Sequence, residues 1–182
     1  MRKIVAGLFV SVDGVVEAPE TWTGAYFSPE IGQVVGSLIA AGDTLLLGRR
    51  TYETFAQSFA GASGDDPMAA QMNAIRKVVV STTLESADWQ NSTLVSHDVE
   101  QAVTALKEED GANINMSGSA TLVAALLRMG HLDELDLLVF PVVVGQGRRL
   151  FHDEGDSVAL QVLRSETFDN GVIHVTYGPA EA

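Results

Sequence analysis

The chain contains no cysteine among its 182 residues, which excludes both disulfide bonds and thiolate metal sites. Its four histidines (His97, His131, His152 and His174) are far apart and show no metal-ligand spacing, so no metal site is predicted. Only 11 basic residues stand against 24 acidic ones, for a net charge of −13. Because a nucleic-acid binder needs a basic face to displace counterions from phosphates, neither nucleic acid nor an anionic membrane is an expected partner.

Long apolar runs are also missing. None approaches the roughly 20 residues that a bilayer-spanning helix needs. The apolar start at Ile4 soon meets Ser11 and Asp13, which favours a first strand over a signal peptide. We therefore expect a cytoplasmic protein. Since no linker or repeat divides the chain, we also expect one domain over residues 1–182.

What is present is an alternation of strand and helix patterns. Helices are predicted to begin at Pro29, near Thr51, at Pro67, after Asp98 and after Ser119, where Ser28, Asp66, Asp98 and Ser119 could serve as caps. Strand patterns cover residues 3–12, 44–47, 77–80, 93–95, 113–116, 135–144, 158–164 and 172–177. This order predicts an α/β fold with a mixed, mostly parallel sheet between helices. The turn at 169–171 predicts a C-terminal antiparallel hairpin.

Ligands of such sheets bind where parallel strands end, and two loops there carry hydroxyls or arginines. One is Gly48-Arg49-Arg50-Thr51, in which glycine permits close approach, a helix start offers free N–H groups and arginine suits phosphate. The other is Ser81-Thr82, whose hydroxyls could bond a phosphate. The alternatives are a strand-helix turn with solvated arginines and a plain turn in which hydroxyls cap the backbone.

A third loop, Ser117-Gly118-Ser119-Ala120-Thr121, again leads from a strand into a helix. Its glycine, hydroxyls and helix start suit a pyrophosphate, although it is neither a G-x-G-x-x-G motif nor the hydrolase G-x-S-x-G turn. Two further places are weaker. Asp13, in a tight turn, could act as an acid or a substrate contact, and Arg148-Arg149 could bind phosphate; both also fit ordinary turn chemistry.

Several pieces of the sequence occur in the order of a known family. They are residues 6–16 ending in Ser-Val-Asp-Gly, 45–52, 77–81 and the long stretch 117–151. With these pieces the chain resembles the dihydrofolate reductase superfamily, and within it the RibD C-terminal domain family. That family includes the reductase domain of bacterial riboflavin biosynthesis and many stand-alone proteins. The resemblance implies a three-layer α/β/α dihydrofolate-reductase-like fold, commonly as a homodimer.

The resemblance also implies NADP(H) as cofactor and assigns residues to it. Gly48, Arg49, Arg50 and Thr51 would hold phosphate, and Ser81 and Thr82 would lie near the adenosine 2′-phosphate. Ser117, Gly118, Ser119, Ala120 and Thr121 would wrap the pyrophosphate, while Val10 and Val16 would approach the nicotinamide. The proton could come from Asp13, Glu30 or water, and Asp13 is the residue that we assign as catalytic.

Two departures from the family pattern affect the substrate. Gly32 stands where dihydrofolate reductases carry a pterin-binding acid, with Glu30 only nearby, and Met116 stands where riboflavin-pathway reductases commonly have an acid. The leading expectation is an NADPH-dependent reductase of a small heterocyclic or carbonyl-type substrate. One alternative is 5-amino-6-(5-phosphoribosylamino)uracil reduction in riboflavin biosynthesis. The other is a non-catalytic nucleotide-binding dimeric protein.

Overall fold

The computed structural model describes residues 1–62, 66–151 and 157–180, and in these ranges one sheet runs through the molecule. Its strands are β1 (Ile4–Ser11), β2 (Gly42–Gly48), β3 (Arg76–Val80), β4 (Ser92–Val95), β5 (Asn113–Ser117), β6 (Glu134–Phe140), β7 (Leu160–Thr167) and β8 (Ile173–Pro179). The α-helices are α1 (Pro29–Ala40), α2 (Arg49–Phe59), α3 (Pro67–Ala74), α4 (Val99–Glu108) and α5 (Ala120–Arg128).

The strand order is β4-β3-β2-β5-β1-β6-β8-β7. Strands β1 to β6 run parallel, and β8 is antiparallel to both β6 and β7. Helices α4 and α5 pack on one face with Leu46, Val78 and Ile114. Helices α1 to α3 cover the other face, where Leu47 and Leu138 lie in two further apolar clusters. The predicted three-layer α/β/α fold with a C-terminal antiparallel hairpin is therefore confirmed.

Some sequence predictions of element ends and caps are wrong. The strand predicted over residues 135–144, with an interruption at Pro141, ends at Phe140 and does not resume, because proline has no N–H group to donate to a neighbouring strand. The side chains of Ser28 and Asp98 do not cap α1 and α4. Asp66 does cap α3, since its carboxylate accepts from the N–H groups of Met68 and Ala69. His152 and part of the predicted loop at 60–66 lie outside the described residues.

The sheet order decides which loops are neighbours. Because β5 lies between β2 and β1, the carboxyl ends of β3, β2, β5 and β1 stand side by side. The ends of β2 and β3 are level, with Gly48 opposite Val80, whereas β1 continues to Ser11 beyond Gly7, which lies opposite the last residue of β5, Ser117. Three anion-suited loops that are far apart in sequence therefore share one edge. None of the helices in the described ranges is long and apolar enough to cross a membrane.

Candidate functional site

The loops that follow β2 and β5 are joined by side-chain hydroxyls. The Gly48 amide donates to Ser119 Oγ at 2.9 Å, and the Ser119 amide donates to Thr51 Oγ1 at 2.8 Å. Ser119 Oγ in turn donates to Thr51 Oγ1 at 3.0 Å. We call these contacts among Gly48, Thr51 and Ser119 the hydroxyl latch. It holds the beginnings of α2 and α5 against each other.

The latch depends on left-handed backbone in the loop after β5. Gly118 has φ +61° and Ser119 has φ +49°. A Cβ on Gly118 would lie 2.9 Å from Thr51 Oγ1 and 3.2 Å from its Cγ2, which is closer than side-chain atoms ordinarily approach. Glycine is therefore required here for both its conformation and its size. Ser119 occupies the cap position of α5, but its hydroxyl bonds across the latch instead of capping, contrary to the sequence prediction.

Two helices consequently begin at one place without side-chain caps. Gly48 precedes α2 and Ser119 precedes α5, and neither supplies a capping oxygen to its own helix. The first N–H groups of an α-helix have no partner within the helix and carry a partial positive charge. A pair of such helix starts brought together by the latch is suited to an anion with several oxygens, such as a pyrophosphate.

Arg49 and Arg50 add charge at the same position. Both are exposed at the start of α2, and neither guanidinium has a hydrogen-bond or ion-pair partner among the described residues. By contrast, Arg2, Arg76 and Arg164 each pair with a carboxylate. On a chain of net charge −13, two unpaired guanidinium groups beside uncapped helix starts make a locally positive corner.

In the loop after β3, the side chains of Ser81 and Thr82 differ in exposure and in their hydrogen bonds. Ser81 is buried, and its Oγ accepts from the amides of Thr83 at 3.2 Å and Leu84 at 3.0 Å. This is the backbone-capping turn that the sequence left as an alternative. Thr82 is exposed on the same edge. The geometry therefore favours Thr82 over Ser81 as a hydroxyl available to a ligand.

The remaining predicted contact residues lie along the same edge but differ in exposure. Val10 is buried and Val16 half-buried, and both pack with the core on the α4/α5 face. Ser117 is half-buried at the end of β5. Ala120 is buried at the start of α5, and Thr121 beside it is exposed. The structure thus brings the predicted residues to one edge, with Thr121 and Ser117 the more accessible of this group.

Asp13 is held by the loops on either side of it. Its carboxylate accepts from Ser11 Oγ at 2.7 Å and from the amides of Val144 at 3.0 Å and Gly145 at 2.8 Å. Arg149 Nε donates to the Asp13 carbonyl at 2.8 Å. These donors, the Ser11 hydroxyl foremost, lower the pKa of Asp13 to about 2. The arrangement favours a structural role, because a group with that pKa carries no proton to donate near neutral pH.

A pH-dependent stability difference follows for Asp13→Asn. With a folded-state pKa of about 2 against roughly 3.9 in the unfolded chain, the carboxylate stabilises the fold above about pH 4. That contribution is lost as the pH falls through 2. We expect D13N to be less stable than the wild type at pH 7 and the difference to shrink between pH 4 and pH 2. Urea unfolding at several pH values measures this. A difference in unfolding free energy that stays constant from pH 7 to pH 2 would contradict this prediction. Glu53→Gln, at an exposed position on α2, is the control.

An aromatic group that the sequence did not single out lies beside this edge. Phe9 on β1 packs edge-on against Phe140 at the end of β6, with ring centroids 5.3 Å apart, and against Phe27 at 6.4 Å. Trp22 and Tyr26 also meet Phe140 edge-on. Phe27 remains 57% exposed. The aromatic residues before α1 are scattered through a polar loop, so only the fold reveals that they form one wall.

The two positions where acids were missing have different surroundings. Gly32 is exposed on α1, and a Cβ built there would meet nothing within 4 Å, so its lack of a side chain leaves open space. Met116 is 2% exposed and belongs to the core. Glu30, in the first turn of α1, is exposed. In the part of the chain that the structure describes, neither position therefore carries a carboxylate, and Glu30 is the acid nearest to Gly32 in sequence.

Comparisons with known proteins agree with this architecture. The uncharacterized protein YyaP of Bacillus subtilis (strain 168) is 27% identical over 184 residues, covering 97% of this chain and 94% of that protein. A Shewanella sp. PV-4 protein, provisionally named a riboflavin biosynthesis protein, superimposes with a TM-score of 0.78 at 21% identity, covering 98% of this chain and 99% of that one.

Dihydrofolate reductase from Enterococcus faecalis, solved with NADP(H) and RAB-propyl, superimposes with a TM-score of 0.64 at 16% identity. The match covers 98% of this chain and 97% of that one. The family model described as the RibD C-terminal domain matches residues 2–174. With a dihydrofolate-reductase-like sheet and a family match over nearly its whole length, the chain belongs to the RibD C-terminal domain family.

Proposed function

We propose that this protein is an NADPH-dependent reductase of a small heterocyclic or carbonyl-type substrate. The observation that carries the proposal is the hydroxyl latch, which joins two uncapped helix starts beside the unpaired Arg49 and Arg50. The left-handed backbone at Gly118 and Ser119 is the kind of turn that forms an anion-binding concavity, which fits a diphosphate held against the backbone. Family membership and the structural likeness to an NADP(H)-bound reductase support the same choice of cofactor.

Each part of the edge has a role in this proposal. The amides at the starts of α2 and α5, with Ser117 and Thr121, would hold the pyrophosphate. Arg49, Arg50 and Thr82 would hold the 2′-phosphate, and the Val10–Val16 segment would lie beside the nicotinamide. The bound NADPH would supply the hydride. The aromatic wall would offer Phe9 and Phe27 as an apolar platform for a planar acceptor.

The source of the proton in this proposal is water. Asp13 is committed to three donors and its pKa is about 2, so it is ionised at neutral pH. Gly32 leaves no carboxylate where a pterin-binding acid would stand. A substrate that needs strong protonation before hydride transfer is therefore a poorer fit than one that is already electron-poor.

A second candidate is reduction of 5-amino-6-(5-phosphoribosylamino)uracil. Arg149, which is exposed and fixed beside the Asp13 turn, is placed to meet a substrate phosphate, and family membership favours this reaction. Oxidation of NADPH in the presence of that aminouracil would select this candidate. Tight nucleotide binding with no turnover of any acceptor would instead favour a third, a non-catalytic nucleotide-binding protein. We further propose that the protein acts in the cytoplasm as a homodimer.

The role given to the arginines is tested by Arg50→Ala. A charge-assisted contact to the 2′-phosphate contributes about 1.5–3 kcal/mol, so NADPH affinity should fall roughly 10- to 100-fold. NADH affinity should change less than about threefold, because NADH lacks that phosphate. Nicotinamide fluorescence titrations measure both. Arg128→Ala, at the far end of α5, controls for the loss of one positive charge. Equal losses for the two nucleotides would rule out a 2′-phosphate contact while leaving a pyrophosphate contact possible.

A further inference from the structure

Strand β7 is an edge strand with an unusual degree of exposure. It ends the sheet and pairs only with β8 in the described part of the chain. All seven residues after Leu160 are exposed. Val162 and Leu163 are 58% and 52% exposed, and Ile173, across from Thr167, is 42% exposed. Long, exposed apolar edges invite pairing with another chain unless something covers them.

The hydrogen-bonding pattern shows which backbone groups β7 offers. Phe168 donates to the Val172 carbonyl, so Phe168 directs its backbone groups toward β8. From Arg164 to Phe168 the register with β8 is regular. By alternation, Glu166 and Arg164 also face β8, and Ser165 and Thr167 direct their N–H and C=O groups to the free edge.

The charges on β7 are complementary to those of a second copy. Arg164 and Glu166 lie two residues apart on one face and pair with each other at 3.0 Å. If two β7 strands pair antiparallel about a two-fold axis at Ser165, each Arg164 stands opposite the Glu166 of the other copy. The two Ser165 residues then exchange both backbone hydrogen bonds, and the charged residues form the closely spaced non-hydrogen-bonded pairs. A strand of unrelated sequence would place complementary charges opposite both Arg164 and Glu166 only by chance.

We propose that β7 is the dimerisation edge of this protein and that two copies join there, antiparallel and centred on Ser165, into one continuous sheet. The inference rests on the homodimer proposed above and adds the surface and the register. It uses the end of the sheet opposite to β4, two strands beyond β6, and leaves the latch at β2 and β5 accessible.

Sedimentation velocity of the whole protein across a concentration series tests the pairing. Ser165→Pro removes the outward N–H without touching a bond to β8, and proline is tolerated at such edge positions. Arg164→Glu places like charges opposite each other. Since two-fold symmetry applies each change twice, we expect either variant to raise the dimer dissociation constant roughly 100-fold. Ser165→Ala, which keeps the N–H, should stay dimeric.

Exchanging the charges of Arg164 and Glu166 is the most specific test of the proposed register. Adding Glu166→Arg to Arg164→Glu restores opposite charges across the axis, so the double variant should dimerise within about threefold of the wild type. A monomeric wild type, or a dimer that S165P and R164E leave intact, would overturn the proposal. NADPH titration of the same samples keeps the two proposals apart, because loss of the dimer and loss of nucleotide binding are read separately.

Discussion

Replacing Gly118 by alanine is expected to weaken NADPH binding by roughly 10- to 100-fold. The new Cβ would impose the left-handed penalty at φ +61° and would stand 2.9 Å from Thr51 Oγ1. Thr51 must then move, and with it the contacts that hold Gly48 and Ser119. The helix starts would separate, and the anion would lose donors from both of them. Calorimetric titration of the purified variant measures the loss.

Gly130→Ala is the matched control for this change. Gly130 has φ +72°, so alanine has about the same conformational cost there as at Gly118. A Cβ at Gly130, however, would meet nothing within 4 Å. We expect G130A to lose about 1 kcal/mol of stability and to bind NADPH as the wild type does. If both variants bound NADPH equally well, the close fit between Gly118 and Thr51 would have no part in binding.

Removal of the Asp136 carboxylate is expected to produce the largest loss of stability. Asp136 accepts from Thr176 Oγ1 at 2.7 Å and lies 2.9 Å from His174 Nε2, and the side chains of Asp136 and His174 are only 9% and 4% exposed. His174 Nδ1 already has no hydrogen-bond partner among the described residues. Asp136→Ala would leave the imidazole without any hydrogen bond in the interior and should lower the free energy of unfolding by about 3 kcal/mol.

The comparison for Asp136 comes from its own strand. Glu134, two residues earlier on β6, pairs with exposed Lys3 at 2.7 Å. Exposed ion pairs contribute about 0–1 kcal/mol, so Glu134→Ala should change the unfolding midpoint little. Urea unfolding at neutral pH compares the two. A small loss for D136A would mean that water or a shifted side chain takes over the carboxylate's bonds.

The sequence was sufficient to predict the layers and the edge at which the candidate site lies. Helix patterns alternate with buried strands, and Gly48 and Gly118 each stand between a strand and a helix, which places them at strand ends. Parallel strands bring such ends together irrespective of their separation in the chain. Because β5 lies between β2 and β1 in the strand order, the loops that follow β2 and β5 are in fact neighbours.

Partners that depend on distant residues could not be predicted. Ser119 precedes a helix and would ordinarily cap it. Its hydroxyl oxygen instead accepts a hydrogen bond from the Gly48 amide, 71 residues away in sequence. Lys77 begins the strand predicted over residues 77–80, a position where an exposed charge is normal. It is instead fully buried over the Trp89 ring, donating to the carbonyls of Asn73, Ile75 and Gln90, and burial lowers its pKa to about 8. No local pattern encodes such contacts.

Asp13 illustrates the same limit for chemistry. An aspartate in a turn at a strand end is compatible with an acid, a substrate contact or a turn residue. The choice depends on the amides of Val144 and Gly145, which lie beyond the end of β6 and far from Asp13 in sequence. Similarly, the sequence does not indicate that the exposed Phe27 belongs to an aromatic wall, because its contact with Phe9, which also packs against Phe140, is formed only in the fold.

Calorimetric titration of the wild-type protein with NADPH, and in parallel with NADH, tests the central claim most directly. A locally positive corner on an acidic molecule predicts one NADPH per chain, bound at least about tenfold more tightly than NADH, with affinity that falls as salt is added. Absence of NADPH binding, or equal affinity for the two nucleotides at every salt concentration, would contradict it.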